Sequence, residues 1–261
     1  MKVKSYKWGR HTFKVHLCRK GTSENMKAKG LDFKQLNEQI RACVRVGNKN
    51  IKIDDCCGQR FICSGFSAET PTQITINGTP GNALGAYLDG GCTITVNGNA
   101  QDAVGDTMND GKIIIHGNAG DALGYSMRGG SIFVKGDAGY RAGVHAKEYK
   151  DKKPVIVIGG KVGSFLGEYL AGGLLIALGS VGGFTGTGMH GGKIYIRTSE
   201  PPKNLSAQVI ATIAENLDEI RPYIVEFAKH FGANAQEILK AQFYVLKPNA
   251  KNPYKQLYVM N

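Results

Sequence analysis

The feature that most constrains the fold is a repeat of about 19 residues that runs from Ile74 to Arg197. In each copy an apolar–x–apolar–x segment precedes a glycine, and a second glycine follows seven residues later. The first glycines are separated by 20, 19, 19, 24 and 19 residues. The pairs are Gly78 and Gly85, Gly98 and Gly105, Gly117 and Gly124, Gly136 and Gly143, Gly160 and Gly167, and Gly179 and Gly186. Six copies in register predict a solenoid whose stacked coils share one core.

Apolar residues recur in step with these glycines and predict what fills that core. The strand segments alternate with period two, so we expect one buried face and one face exposed to water. The alternating pairs are Ile74/Ile76, Ile94/Val96, Ile113/Ile115, Ile132/Val134, Ile156/Ile158 and Leu175/Ala177. Two further columns follow the first glycine, namely Leu84, Val104, Leu123, Ala142, Leu166 and Thr185, and Leu88, Met108, Met127, Ala146, Leu170 and Met189. The sequence therefore predicts a mainly β protein, a parallel β-helix of about six to seven coils.

The turns between strands explain most of the glycine, asparagine and aspartate residues. A short coil must turn sharply several times, and glycine reaches positive φ and permits close backbone approach. Asn82, Asp102 and Asp121 share one turn position. Short polar side chains at such a position are expected to satisfy local backbone groups.

The sequences on either side of the repeat predict helical caps at both ends. Asp32–Val44 has helical spacing of apolar residues, and the residues before Gly30 suggest an irregular or hairpin arm. Leu205–Leu239 also has helical spacing, with Pro222 expected to start or kink a segment, and Phe243–Val259 is predicted to be extended. We divide the chain into an N-terminal arm and helix (1–48), the β-helix (49–198), and C-terminal helices with an extended tail (199–261).

The formal net charge of +12 favours an acidic protein partner or general solubility over nucleic acid. The basic residues do not form an arginine-rich helix or a cluster with interleaved aromatic rings. No run of 18 apolar residues and no apolar signal-peptide segment is present. We therefore expect a cytoplasmic protein without a membrane span, whose cysteines are reduced thiols. They are Cys18, Cys43, Cys56, Cys57, Cys63 and Cys92.

The acidic, histidine and cysteine residues do not recur at positions that would bring them together, so no catalytic, cofactor-binding or metal-binding residue is predicted. The acids of the repeat are Asp102, Asp106, Asp121 and Asp137, and three of the four lie at turn positions. The histidines His116, His145 and His190 fall at different phases of the repeat and cannot form a ladder. The cysteine spacing fits neither a zinc site nor an iron–sulfur cluster.

One coil departs from the others in the segment Gly136–Lys153, and its spacing from Gly136 to Gly160 is 24 residues, five more than the usual 19. Tyr140 and Arg141 stand where other coils have an Asp/Asn–Ala pair. Solenoids often carry their specific surface on such an insertion. The candidate partner-contact residues are Tyr140, Arg141, His145, Lys147 and Glu148. The alternative is a tolerated loop with a local ion pair.

These motifs resemble a known family. The runs GTPGNALGAYLDGG, GNAGDALGYSMRGG and PVIVIGGKVGSFLGEYLAGG look like the GXGXG β-helix domain at the C-terminus of the glutamate synthase large subunit. The GYR, HAKEY and PVIVIGG elements resemble most the free-standing form of this domain, which is a separate subunit. The same repeat occurs in one of the subunits of formylmethanofuran dehydrogenase. The resemblance implies a right-handed, single-stranded parallel β-helix and a role in making glutamate from glutamine and 2-oxoglutarate.

In the glutamate synthase family the amidotransferase nucleophile, the FMN and the iron–sulfur cluster belong to other domains. This chain begins Met-Lys rather than with a cysteine, so no catalytic residue carries over. The resemblance implies a structural subunit that binds no cofactor itself. Its expected partners are the amidotransferase and the FMN/iron–sulfur synthase subunits, with homo-oligomerisation also open. The alternatives are a component of a formylmethanofuran dehydrogenase complex, an autonomous β-helix enzyme and a basic binding module.

Overall fold

The structure is a computed structural model that describes residues 3–8, 11–16, 23–69 and 71–249. The protein is mainly β, with 34% of the described residues in strands and 13% in helices. The strands are β1 (Val3–Trp8), β2 (His11–His16), β3 (Glu24–Lys27), β4 (Asn50–Cys57), β5 (Thr72–Thr79), β6 (Asp89–Asn97), β7 (Asp110–Ile115), β8 (Ser131–Val134), β9 (Val155–Ile158), β10 (Ala171–Ala177), β11 (Gly191–Arg197), β12 (Val209–Ile213) and β13 (Phe243–Pro248). The helices are α1 (Phe33–Arg45), α2 (Arg221–Phe231) and α3 (Ala235–Lys240).

Strands β3 to β13 form one sheet of 11 strands, and β1 pairs with β2 in a separate antiparallel hairpin. From β3 to β11 each strand lies parallel to the strand of the next coil. A chain that returns to the same position after every coil is a β-helix, and it makes about seven turns here. The predicted fold class is confirmed. The sheet extends beyond 49–198 at both ends through β3 and β13, and the division into three segments stays a prediction.

The interior of the solenoid is a stack of equivalent apolar residues. Strand pairing places Ile94, Ile113, Ile132, Ile156 and Leu175 in one register column. The column from Leu88 to Met189 has no solvent exposure at any member. A second row of single parallel bridges joins Ala100, Ala119, Ala138, Val162 and Val181. This register and burial confirm the predicted ladders. Each coil alone buries little apolar surface, so the core is complete only when the coils stack.

The two repeat glycines are required for different reasons. A Cβ on Gly179 would meet the backbone of the coil below, 2.5 Å from the carbonyl carbon of Gly160. The first glycine therefore allows the coils to approach. The second glycine of every copy is left-handed, with φ between 64° and 74°. A Cβ on Gly167 would also lie 2.6 Å from Cδ1 of Ile194 inside the core. Any residue other than glycine is therefore disfavoured there for two reasons: its Cβ would clash with the core, and its backbone would be left-handed.

The turn acids bind the next coil rather than their own turn. Oδ1 of Asp102 accepts the N–H of Asp121 at 2.9 Å, and Oδ1 of Asp121 accepts the N–H of Tyr140 at 2.8 Å. At a second turn position the same kind of bond recurs, in which Oδ1 of Asn118 accepts the N–H of Asp137 at 2.8 Å. Each partner lies 19 residues away, so the predicted local partners are wrong and the structural role is confirmed.

The N-terminal cap is helix α1, which confirms the helical spacing predicted over Asp32–Val44. Asp32 and Gln35 form a reciprocal capping box, in which each side chain accepts the other's backbone N–H. Leu36, Ile40 and Cys43 on one face of the helix are buried in the solenoid core. The helix therefore closes the N-terminal end of the stack.

The C-terminal segment combines helices with an additional strand. The prediction of helix over Leu205–Leu239 is wrong for Val209–Ile213, which is β12 and pairs with β13 in antiparallel fashion. Its sequence VIATI is rich in β-branched residues, which favour strands. Helices α2 and α3 are confirmed, and Pro222 lies in the first turn of α2 as expected. The extended prediction is confirmed for Phe243–Pro248, and residues 250–259 lie outside the described residues.

A second core covers the outer face of the sheet. The outward residues of β7 to β11 are buried there; they are Ile114, Phe133, Val157, Ile176 and Tyr195. Ile220, Ile224 and Phe227 of the α2 region pack against them. The expectation of one water-exposed strand face is therefore wrong for these strands. The continuous apolar runs III, IFV, VIVI and LLIAL carry this signal, because parallel strands buried on both faces lose their alternation.

Candidate functional site

One corner of each coil has left-handed backbone at non-glycine residues. These residues lie five and nine positions after the first glycine, with φ between 51° and 64°. They are Ala83, Ala103, Ala122, Arg141, Phe165 and Phe184, and Tyr87, Thr107, Ser126, His145 and Tyr169. Left-handed residues other than glycine cost about 1 kcal/mol each. Hydrogen bonds between coils hold them, such as that from the N–H of Phe165 to the carbonyl of Gly183 at 3.0 Å.

Large side chains stack on this corner in the C-terminal half of the solenoid. The guanidinium of Arg141 lies 5.5 Å from the ring centroid of Phe165, and the Phe165 ring stacks on Phe184 at 5.1 Å. In a neighbouring column the His145 ring stacks on Tyr169 at 5.0 Å, and Tyr125 meets His145 edge-on at 5.9 Å. We call this set the aromatic face; it consists of Tyr125, Arg141, His145, Phe165, Tyr169 and Phe184.

The aromatic face presents exposed residue types that are frequent at protein interfaces. The Phe184 side chain is 59% exposed, although it is a large apolar residue. Arg141 is also largely exposed, and its Nε lies 3.1 Å from Oε2 of Glu168, a carboxylate that is only 13% exposed. Stacked aromatic rings beside an arginine are the residues that most often dominate binding energy at protein interfaces. Neighbouring rings already hold each other, so little side-chain freedom remains to be lost on binding.

The five candidate residues from the sequence do not form one cluster. Arg141 and His145 lie on the aromatic face, and Tyr140 is an exposed neighbour of Arg141. Lys147 is exposed. The carboxylate of Glu148 instead turns back to the solenoid and accepts the N–H of Gly173 at 3.0 Å. Partner contact by these residues stays a prediction.

Sequence reasoning missed Tyr125, Phe165, Tyr169 and Phe184 as candidate site residues. The signal that could have found three of them is their position in the repeat, which they share with Arg141 or His145. Phe165 and Phe184 occupy the column of Arg141, where the first three coils have alanine, and Tyr169 occupies the column of His145. Residues in one column of a solenoid lie above one another about 4.8 Å apart, so their rings meet.

The extra residues of the irregular coil are fastened to the rest of the molecule. Tyr149 and Lys152 form an antiparallel bridge, and the Nζ of Lys152 lies 3.6 Å from Asp89 and 3.4 Å from Asp110. Lys153 donates to Glu219 at 2.9 Å. This part of the coil therefore matches the alternative of a tolerated loop with local ion pairs.

Glu219 anchors the C-terminal helices to the solenoid. Its carboxylate accepts hydrogen bonds from Lys193 at 2.7 Å, Lys153 at 2.9 Å and the Tyr195 hydroxyl at 2.8 Å. Burial alone would raise the pKa of Glu219, but these hydrogen bonds outweigh it and lower the pKa to about 2. Burial, followed by the bond to Glu219, raises the pKa of Tyr195.

We expect Glu219→Gln to flatten the acid side of the stability profile. Because its folded-state pKa is depressed, Glu219 stabilises the protein above its unfolded pKa of about 4.5, and this stabilisation is lost as the pH falls towards 2. Urea titrations between pH 7 and about 3 measure the slope. The exposed Glu200, whose ion pair is at the surface, provides the control Glu200→Gln, which should leave the slope unchanged. Equal slopes for wild type and Glu219→Gln would contradict this assignment.

The buried thiols lack the character of nucleophiles or metal ligands. Burial raises the pKa of Cys56 to about 11 and that of Cys92 to about 12, and it also raises the pKa of Cys63. Cys43 is disulfide-bonded, so the expectation of reduced thiols is wrong for this residue. Cys56, Cys57, Cys63 and Cys92 are free. Among residues 23–69 and 71–249, no three His, Cys, Asp or Glu side chains come together as metal ligands would.

The described helices are all too short or too polar to span a bilayer.

Comparisons with known proteins agree with this fold. The GXGXG motif family matches residues 27–249. An uncharacterised protein of Methanocaldococcus jannaschii is 44% identical over 248 residues, which cover 88% of this chain and 94% of that protein. Ferredoxin-dependent glutamate synthase 2 of Synechocystis is 31% identical over 176 residues, covering 62% of this chain. The alignment covers only 11% of that synthase, so this chain corresponds to a small segment of it.

A solved structure shares the fold. A chain of the formyltransferase/hydrolase complex from Methylorubrum extorquens, in complex with methylofuran, superposes with a TM-score of 0.59 and 23% identity. The superposition covers 74% of this chain and 72% of that chain. At this identity the likeness shows the fold alone. The family match over most of the sequence and the archaeal relative together show that this chain belongs to the GXGXG motif family.

Proposed function

We propose that this chain is a structural subunit of a split glutamate synthase, an oxidoreductase complex that makes glutamate from glutamine and 2-oxoglutarate. The similarity to one small segment of a much larger glutamate synthase carries the proposal. The amidotransferase, the FMN and the iron–sulfur cluster then reside on partner subunits. This chain holds those parts in register and performs no catalysis.

The shape of the molecule supports a scaffold role. A stack of coils with one continuous core deforms little, so surfaces at different heights keep a fixed separation. The aromatic face offers an anchor for a partner along the C-terminal coils. The net charge of +12 favours partners with acidic surfaces and fast association. We place this assembly in the cytoplasm, where the metabolites of the reaction occur.

The second candidate is a component of a formylmethanofuran dehydrogenase complex. The shared fold with a chain of the formyltransferase/hydrolase complex favours it. Because one fold hosts many functions, the two candidate complexes are distinguished by the subunits that bind this chain and not by the solenoid fold.

Affinity purification of the full chain from native cells tests the proposal. We expect an amidotransferase subunit and a flavin- and iron–sulfur-containing subunit to co-purify in fixed ratio. Recovery of molybdenum or tungsten enzyme subunits instead would support the second candidate and contradict the first. Turnover by the purified chain alone would favour an autonomous enzyme. Salt-sensitive binding to DNA or RNA would favour a nucleic-acid-binding module.

A further inference from the structure

A cleft lies where the parallel strands end and the C-terminal helices begin. Strand register aligns the residues that end or follow successive strands, and Lys135, Gly159, Leu178 and Arg197 of this row line the cleft. Helices α2 and α3 form the opposite wall. The cavity volume is about 440 Å³, which lies within the range of small-molecule sites.

Gly159 lies on the floor of the cleft and lets Phe227 of α2 pack directly on the sheet. A Cβ at this position would lie 2.8 Å from Cζ of Phe227 and would also meet the carbonyl group of Lys135. Every other residue type would therefore push the sheet and α2 apart. In the row of strand ends, Gly159 lies between Lys135 and Leu178, so no side chain rises from the floor at that point.

The cleft is electropositive. Neither Lys135 nor Arg197 has a carboxylate within ion-pair distance among residues 23–69 and 71–249. Nε of Arg197 donates to the carbonyl of Leu178 at 2.8 Å, which holds the guanidinium over the neighbouring strand β10. Burial, and then the charges of Lys135 and His230, lower the pKa of nearby His116. Glu237 at the rim carries the opposing charge.

Aromatic rings border the same space. Phe227 is buried beneath it, while Phe231 is partly exposed and lies 5.2 Å from His116 in an edge-on contact. A cationic pair beside an aromatic wall matches a ligand that has an anionic group and a planar or apolar part.

We propose that this cleft binds a small anionic metabolite, whose carboxylate or phosphate group lies between Lys135 and Arg197 and whose remaining part packs on Phe231. The cleft is at the strand ends, and the aromatic face is on a different corner of the coil. The cleft is therefore a separate surface from the aromatic face. Two cationic side chains can bind either a phosphate or a carboxylate group, and binding measurements with one ligand of each kind distinguish the two.

Isothermal titration of the full chain with inorganic phosphate, AMP and 2-oxoglutarate tests the proposal. We expect saturable binding of one molecule per chain for at least one probe. AMP binding more tightly than phosphate indicates a phosphate ester with a ring, and preference for 2-oxoglutarate indicates a carboxylate. Lys135→Gln should weaken the binding about tenfold, the effect of losing one charge-assisted hydrogen bond.

The matched control is Lys161→Gln, which removes another exposed charge that does not line the cleft and should change the affinity less than about twofold. Ala233→Phe at the rim tests the space without changing charge, and it should also weaken binding. Circular dichroism confirms that each variant folds. No saturable binding of any probe, or equal weakening by Lys135→Gln and Lys161→Gln, would overturn the proposal, since the latter marks unspecific attraction to a basic protein.

Discussion

Replacing Gly179 with alanine is expected to lower the free energy of unfolding by about 3 kcal/mol. The three atoms nearest to the new Cβ all belong to the backbone of the preceding coil, at Gly160 and Lys161. A backbone cannot rotate away as a side-chain end can, so the coils must separate. Separation lengthens the hydrogen bonds between them, such as that from Val162 to Ser180 at 2.9 Å.

Gly183→Ala in the same coil is the matched control. Neither glycine has positive φ, and a Cβ on Gly183 would meet only Cβ of Asn204, at 3.7 Å. We expect this change to alter stability by less than about 0.5 kcal/mol, or to stabilise slightly through the unfolded chain. Urea denaturation of both variants measures the difference. Similar urea midpoints for Gly179→Ala and Gly183→Ala would contradict the view that glycine is needed at position 179 for close approach of the coils.

Replacing Phe184 with aspartate is expected to weaken association with the partner subunits about 30-fold, which corresponds to about 2 kcal/mol. This result rests on the proposed function. The ring is exposed at the end of the Arg141–Phe165–Phe184 stack, so a charge there disrupts docking without opening the core. The fold should persist, because surface substitutions away from the core usually change stability little.

Tyr149→Asp distinguishes the aromatic face from the irregular loop. Tyr149 is 52% exposed, close to the 59% of Phe184, but it lies on the inserted segment. We expect no more than about a twofold change in affinity for this variant. Surface plasmon resonance with immobilised partner subunits measures both constants. A large loss for Tyr149→Asp and none for Phe184→Asp would move the docking surface to the loop.

The inner core could be predicted from the sequence because it repeats. The coils place Ile, Leu or Met at the same phase, with Ala146 as the exception, so register alone identifies the columns of Ile94 and Leu88. The outer core is harder to predict, because the first strands alternate, with Thr75 and Thr95 facing outward, and later strands do not. From Ile114 onwards the outward position is apolar, and this change predicts a covering element.

The non-repeating parts were harder for physical reasons. The VIATI segment lies in a region of helical spacing; its β-branched residues favour a strand, and pairing with β13 completes it. Arg141 and His145 stand out because their coil departs from the repeat, whereas Phe165 and Phe184 lie in coils of regular length, which give no such signal. Glu148 could not be placed, since the direction of a side chain in an inserted loop depends on contacts such as that with Gly173.

Reconstitution of glutamate synthesis tests the central claim most directly. The purified amidotransferase and synthase subunits are mixed with and without this chain, and glutamine-dependent glutamate formation is measured beside ammonia release. We predict that the chain alone is inactive and that its addition couples the two partial reactions, so that more ammonia reaches 2-oxoglutarate. Unchanged coupling in the presence of the folded chain, or glutamate formation by the chain alone, would contradict the account.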